Sequence, residues 1–502
     1  MSRRALEFVG AVTTSAIVFA CSDHSAEEAP GTDSQVIAEV VVQNGHEPGG
    51  KVPLSSVGIS LPVDYVTNFS EFAGLTNLLN NFQPYQGPIW LRRGGDGACG
   101  ASMADAQFLA RLSSILAATG SPMSLCLDFE SNSPAEASRV AKAVLDYFGT
   151  EPDKLRQIVG FEVGNEPDLY LNHTFGAHTY TEANWGYEEY LEQFDAYKSA
   201  LYSSTPPTLT KPFLIGTVAA GTESVFSKNF LKNQPDFISR ERAVLSSSAL
   251  HYYPLSRPVP TLTEEEQRAK IESLLSNSSV TNGVQKLAGS IDAGATAGVP
   301  ARLGEANSVS EGGQKGVSDT AAAALWGADL LFEVVNAGAI GINFTLNDGF
   351  YNPFTIEAKG ASDPQITVNP LYYGMLFFAH AVQNDARFVK ADTSTQKNIK
   401  TWALKDKDGN VRVAILNKDM SASGTVVVKL ENASLQGLLT RLDTPSAIAS
   451  TGLKLGCQTF DNTKDGKPSG TLCTEPVAPT GSSYRVTIKS ASAAILMIKS
   501  PQ

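Results

Sequence analysis

From residue 53 onward the hydrophobic pattern alternates between two periods. Short, continuous apolar runs rich in β-branched residues predict buried strands, and longer stretches with apolar positions three and four apart predict helices. The strand-like runs fall at 57–61, 89–92, 123–128, 158–163, 213–218, 249–253, 301–304 and 340–345. Between them, Ser133 precedes Pro134 and an apolar face of Val140, Ala143, Val144 and Tyr147, which predicts a helix capped by Ser133. Ser318 precedes Asp319 and a second face of Ala322, Leu325, Trp326 and Leu330, closed near Gly338. Eight strand–helix alternations over 53–382 predict an α/β fold, a (β/α)8 TIM barrel with insertions. An open doubly wound sheet is the rival, but no Gly-x-Gly-x-x-Gly turn follows a strand to favour it.

One more helix follows Asn369-Pro370 and ends near Ala381. The pattern then shifts to period two, with strands at 398–405, 411–417, 424–430, 484–488 and 493–498, so residues 383–502 predict a C-terminal β-sandwich. A strand at 36–43, in the segment 36–52, has no place in the barrel and is expected to join that sandwich. Residues 1–21 read as a signal peptide: Ser2-Arg3-Arg4, an apolar run at 8–20 too short to span a bilayer, then Val18-Phe19-Ala20-Cys21. That last tetrapeptide resembles a bacterial lipoprotein processing site, which would lipidate Cys21 and place the protein in the cell envelope. Ordinary cleavage and secretion is the alternative. Residues 22–35 are polar, acidic and rich in breakers, a flexible tether. No later stretch is long and apolar enough to cross a membrane, so membrane contact is expected only through the lipid.

Composition narrows the partners. With 39 Lys and Arg against 51 Asp and Glu, the net charge is −12, which weighs against nucleic acid. No His/Cys spacing resembles a zinc site, and no cofactor is expected. Export permits disulfides, and assigning Cys21 to lipid leaves four cysteines. Cys457 and Cys473 flank a polar loop, while Cys99 follows one predicted strand and Cys126 lies in the next; connectivity stays open.

Chemistry concentrates at two strand ends. The fourth apolar run passes through Gly164, which frees the backbone to turn, into Asn165, Glu166 and Pro167. The seventh ends in Gly304-Glu305. Carboxylates at the C-terminal ends of barrel strands read as catalytic more often than structural. Two such groups converging across the mouth suit a retaining glycosidase, in which one attacks the anomeric carbon and the other protonates the leaving oxygen.

Here a family resemblance becomes specific. Phe161 to Tyr170 (Phe-Glu-Val-Gly-Asn-Glu-Pro-Asp-Leu-Tyr), Gly304 to Gly313 (Gly-Glu-Ala-Asn-Ser-Val-Ser-Glu-Gly-Gly), Trp90-Leu91-Arg92-Arg93-Gly94-Gly95 and His251-Tyr252-Tyr253-Pro254 resemble motifs of the heparanase and β-glucuronidase family, glycoside hydrolase family 79. The resemblance covers roughly 57–373 and extends to the sandwich built from both chain ends. It implies Glu166 as general acid/base, Glu305 as nucleophile, Asn165 on the sugar 2-hydroxyl, and Tyr252 hydrogen-bonded to Glu305. Arg92 is read as a structural partner of Glu162. The resemblance also implies that Tyr351 and the backbone amides of Gly312 and Gly313 receive a uronate carboxylate.

Three positions depart from the family. Relatives carry a carboxylate just after strand one, where this chain has Leu61-Pro62 and its nearest acid at Asp64. Asp96 replaces the usual asparagine or threonine at the pocket rim, and Ser310 replaces an aromatic residue. The implied activity is release of β-linked glucuronic acid from a carbohydrate substrate. Alternatives are another sugar specificity or a heparanase-like endo-hydrolase, and, from a different class, a non-catalytic surface glycan-binding lipoprotein. The presence of both carboxylates argues against the last.

Overall fold

The first barrel strand, Val57–Ser60, pairs in parallel with the second, Trp90–Arg93, and with the eighth, Ile342–Thr345, so the sheet closes on itself. The remaining strands, Met123–Leu127, Ile158–Val163, Leu214–Ala219, Leu245–Tyr252 and Ala301–Ala306, fill the ring in chain order. Strand and core burial follow the apolar runs seen in the sequence: every residue of the first, second, third, fifth, seventh and eighth strands is buried. The structure is a computed structural model that describes residues 35–43, 49–95, 99–150, 152–204, 213–222, 224–256, 260–347, 349–358, 364–431 and 435–500. The signal segment, Cys21, all but the last residue of the tether, and Asp96 lie outside the described residues.

The two predicted helices are present, but Ser133 does not cap the first. Helix Pro134–Gly149 has proline in its first turn, yet the Ser133 side chain makes no capping bond, and its amide donates to the Tyr197 hydroxyl at 2.7 Å. Helix Ala321–Asn336 starts after Ser318, whose hydroxyl instead accepts from the Gln314 amide at 3.0 Å. The first two amides of that helix, on Ala321 and Ala322, donate to the carbonyls of Ala449 and Ala447. A sandwich loop therefore satisfies donors that an isolated helix would leave orphaned.

Two sheets form the sandwich. One has the order Ala391–Thr395, Val36–Val42, Gly424–Leu430, Ser483–Ile488, Pro479–Thr480. The other runs Arg387–Val389, Ile399–Lys405, Val411–Asn417, Ser492–Ile498, Gly437–Asp443, Lys454–Leu455, with Glu475–Val477 beside Gly437–Asp443. The period-two pattern of Val36–Val42 puts Ala38, Val40 and Val42 into one core with Val413, Ile415 and Val426, and Ile37 joins them where the register shifts at the start of the strand. The N-terminal strand thus takes an interior place in the first sheet, parallel to Gly424–Leu430 and antiparallel to Ala391–Thr395.

Barrel and sandwich share a buried ionic contact. Asp329, fully buried on helix Ala321–Asn336, meets Lys418 at 2.7 Å and Lys400 at 3.3 Å, and accepts from the Trp402 indole. Trp402 lies flat against Phe332 of the same helix, ring centroids 5.7 Å apart. Two disulfides are formed. Cys99–Cys126 fastens the segment after strand two to strand three, and Cys457–Cys473 closes a sandwich loop.

Candidate active site

Strand four delivers its carboxylate through a turn that only certain residues can make. Gly164 has φ +91°, and a side chain there would come within 2.7 Å of Phe129. Glu166 itself adopts a left-handed backbone, φ +50°, held by its amide donating to the Val218 carbonyl at 2.9 Å. Non-glycine residues in that region carry strain of order 1 kcal/mol or more, which persists only where surroundings over-determine it. Asp168, two residues on, accepts from the Ala220 and Gly221 amides at 2.8 and 2.9 Å and from the Ser227 hydroxyl. The loop after strand five is thereby tied to the strand-four turn.

Glu305 stands across the mouth, in register with His251 of strand six. One oxygen of each carboxylate and a ring nitrogen of His251 all lie within 4.8 Å of one another. Arg92, fully buried at the end of strand two, organises the floor. Its Nε donates to Glu162 at 2.8 Å, one terminal nitrogen to Glu305 at 2.6 Å, and the other to the Asn165 carbonyl oxygen at 3.0 Å. The expected Arg92–Glu162 pair is present, and the same guanidinium also reaches Glu305 and Asn165.

Strand six requires a correction. The hydroxyl that reaches Glu305, at 2.6 Å, belongs to Tyr253. Tyr252 donates instead to the Ser279 carbonyl at 2.8 Å, on helix Ser278–Ala297. Alternation along an extended chain explains the slip: His251 and Tyr253 share one face and Tyr252 points to the other. Counting in twos from His251 would have selected Tyr253. His251 is more than packing, since its Nδ1 lies 2.8 Å from Glu166 and its Nε2 3.4 Å from Arg92.

The two carboxyl groups are driven apart in acidity. For Glu166, burial pushes the value up, His251 pulls it back, and the charges of Glu305 and Asp168 add to the rise, leaving it raised. Glu305 is also buried, which pushes up, but His251, Arg92 and the Tyr253 hydroxyl together hold it down to about 2. Burial works against an imidazolium at His251, yet Glu305 and Glu166 outweigh it and the ring is shifted toward holding its proton. The result is one carboxyl inclined to keep a proton and one kept ionised, the division that acid and nucleophile require.

Around these groups lies a cleft of about 1650 Å³, lined by Gly312, Tyr351, Asn347, Ser310 and Asp64 among others. The Tyr351 hydroxyl accepts from the Asn347 side-chain amide at 2.6 Å, and the nearby Gly312 backbone acts on it electrostatically. Gly313 is different: its amide donates to the Ser310 carbonyl at 3.3 Å and a side chain on it would meet the Tyr351 backbone, so it shapes the turn.

No protein-family model matches the chain. In sequence it is 25% identical to a β-glucuronidase of Aspergillus niger over 267 residues, 51% of this chain and 47% of that protein. The chain thus matches about half the length of that curated relative. In structure it superimposes on a 4-O-α-L-rhamnosyl-β-D-glucuronidase from Fusarium oxysporum 12S with a TM-score of 0.71 at 16% identity, covering 92% of this chain and 100% of that one. A family 51 arabinofuranosidase from Xanthomonas axonopodis pv. citri superimposes with a TM-score of 0.63 at 15% identity, with the same coverage. At such identities these structures speak to fold. The chain is thus similar in sequence to a β-glucuronidase over about half its length and shares the fold of a rhamnosyl-β-glucuronidase.

Proposed function

We propose that the protein is a retaining β-glycosidase that removes β-linked glucuronic acid from oligosaccharides or glycans. The observation that carries this reading is the facing pair Glu166 and Glu305, with oxygens within 4.8 Å and acidities shifted in opposite directions. Carboxyl groups about 5–5.5 Å apart fit double displacement, whereas inverting enzymes hold theirs wider to admit a water. Glu305 attacks the anomeric carbon while Glu166 protonates the departing glycosidic oxygen. Water then cleaves the glycosyl–Glu305 ester, with Glu166 taking the water's proton. Arg92 and Tyr253 keep Glu305 ionised and aimed, and Asn165 contacts the 2-hydroxyl. The Gly312 amide and the Tyr351 hydroxyl receive the uronate carboxylate; backbone amides can do this without a basic side chain, which suits an acidic protein. Gly313 acts through the turn it makes. The names of two similar proteins, a β-glucuronidase and a rhamnosyl-β-glucuronidase, support the choice of sugar. A cleft larger than the roughly 300–1,000 Å³ of small-molecule pockets supports a glycan over a small glycoside.

The test is hydrolysis of a panel of aryl β-glycosides by the protein lacking residues 1–35. Preferred turnover of the glucuronide is expected, with an anomer-retaining product by NMR. A preference for glucoside or galactoside would overturn the uronate reading and leave the chemistry standing. For the N-terminus we propose lipoprotein-type processing at Cys21, supported by the tetrapeptide ending there. Cys21→Ser should release the protein from the membrane fraction, and unchanged fractionation would reject the anchor.

A further inference from the structure

Arg93 follows Arg92 on strand two and points to the opposite face, where Asp64, after strand one, is within its electrostatic reach. Only 5% of it is exposed. Its Nε has no hydrogen-bond partner, and among the described residues its guanidinium makes no ion pair. Two charges face it: Arg92, which repels it, and Asp64, which is exposed and attracts it from a distance. Burial and Arg92 lower its acidity constant to about 10, so it stays charged at neutral pH with no carboxylate paired to it among the described residues. A buried, unpaired guanidinium is costly, and protein interiors normally supply such a group with a carboxylate. Arg93 lines the cleft, and the chain runs from it to Gly95, where a side chain would lie 3.7 Å from Glu305.

We propose that Arg93 is a binding residue for a second acidic oxygen group of the substrate, a carboxylate or a sulfate ester carried on the nucleophile side of the cleft. The proposal rests on the glycosidase reading and adds that the preferred substrate is at least doubly anionic. Gly312 and Tyr351 take the carboxylate of the sugar being released, and Arg93 takes an anion beyond it, as a guanidinium matched to planar or tetrahedral oxyacids can.

The experiment compares wild type, Arg93→Met and Arg93→Lys on an aryl β-glucuronide, on the same glucuronide extended by a second uronate, and on one bearing a sulfate ester. It also measures inorganic sulfate binding by titration calorimetry, and thermal melting. A lost charge-assisted contact predicts a fall of about 10- to 100-fold in kcat/KM on the doubly anionic substrates for Arg93→Met. The simple glucuronide should change by no more than about threefold, Arg93→Lys should recover part of the loss, and sulfate binding should disappear. Whichever extended substrate shows the larger loss identifies the natural group as carboxylate or sulfate. The melting temperature should hold or rise, because an unpaired buried charge has been removed. Equal losses on all three substrates, unchanged or absent sulfate binding, or a melting temperature lowered by several degrees would overturn the proposal. If no glucuronide is turned over but Arg93→Met still abolishes sulfate binding, the anion site stands and the glucuronidase reading falls.

Discussion

Tyr253 places its hydroxyl 2.6 Å from Glu305 and 3.0 Å from Thr345, while its neighbour Tyr252 turns away to the Ser279 carbonyl. Burial raises the acidity constant of Tyr253 well above the usual phenol value, so it remains a donor at any working pH. A hydrogen bond to an ionised partner contributes about 1.5–3 kcal/mol, so Tyr253→Phe should lower kcat roughly 10- to 100-fold. Tyr252→Phe should leave kcat within about twofold and lower unfolding free energy by ~0.5–1.5 kcal/mol, because it removes one buried hydrogen bond from a carbonyl that the Trp326 indole also reaches. Parallel kinetics and urea unfolding on the two variants check the contrast. A larger kinetic loss for Tyr252→Phe would reverse the assignment.

The two carboxylates should fail differently. Glu305→Ala should remove turnover of every substrate. Glu166→Ala should cost about 10²–10⁴ on substrates with poor leaving groups and much less on activated aryl glycosides, which need no protonation. Added azide should restore the latter variant and yield a β-glycosyl azide, identifiable by NMR. An α-configured azide adduct would contradict the order of roles.

The pH dependence follows from the opposed shifts. Glu305, held down to about 2, is ionised throughout the accessible range, so activity extends into acid. Glu166, raised mainly by burial, must be protonated; activity is therefore present below its raised value and lost as pH climbs through it. His251 pulls Glu166 downward, so His251→Asn should move the alkaline limb of kcat/KM to higher pH while lowering the plateau. A limb that stays in place would belong to another group.

The ionic contact between the domains should dominate their joint stability. Asp329→Asn leaves Lys418, nearly fully buried, without its carboxylate, and breaking one side of a buried pair costs about 3–5 kcal/mol. The variant should melt markedly lower. Asp329→Asn combined with Lys418→Met should recover much of the loss, since the stranded charge is gone. An additive double variant would show that the two side chains do not act as a pair.

Much of this architecture was legible in the chain because its signals are local. Ile158–Val163, Val411–Asn417 and Gly424–Leu430 match the predicted bounds, since nearly every residue in them is buried and the apolar run is continuous or almost so. Less regular pieces escaped. Ala391–Thr395 is polar and largely exposed, and Gly437–Asp443 mixes Thr440 and Arg441 among leucines, so neither carries a clear period. Glu166 and Glu305 announced themselves by position at strand ends. Which of Tyr252 and Tyr253 faces inward depends on strand register, which a Tyr-Tyr pair in sequence does not reveal. The unbalanced charge of Arg93 and the reach of Arg92 to Glu305 exist only once strands one, two, four and seven are closed into a ring.

The interior seat of Val36–Val42 has a consequence for how the chain comes off the ribosome. This strand is among the first segments made, yet both of its sheet neighbours, Ala391–Thr395 and Gly424–Leu430, are synthesised more than 340 residues later. The barrel can close on its own locally connected pairs while the early strand waits with both edges unsatisfied. The sandwich therefore cannot be completed before residues 424–430 are available, and a chain cut short of them keeps a β-prone N-terminal strand with an unpaired edge.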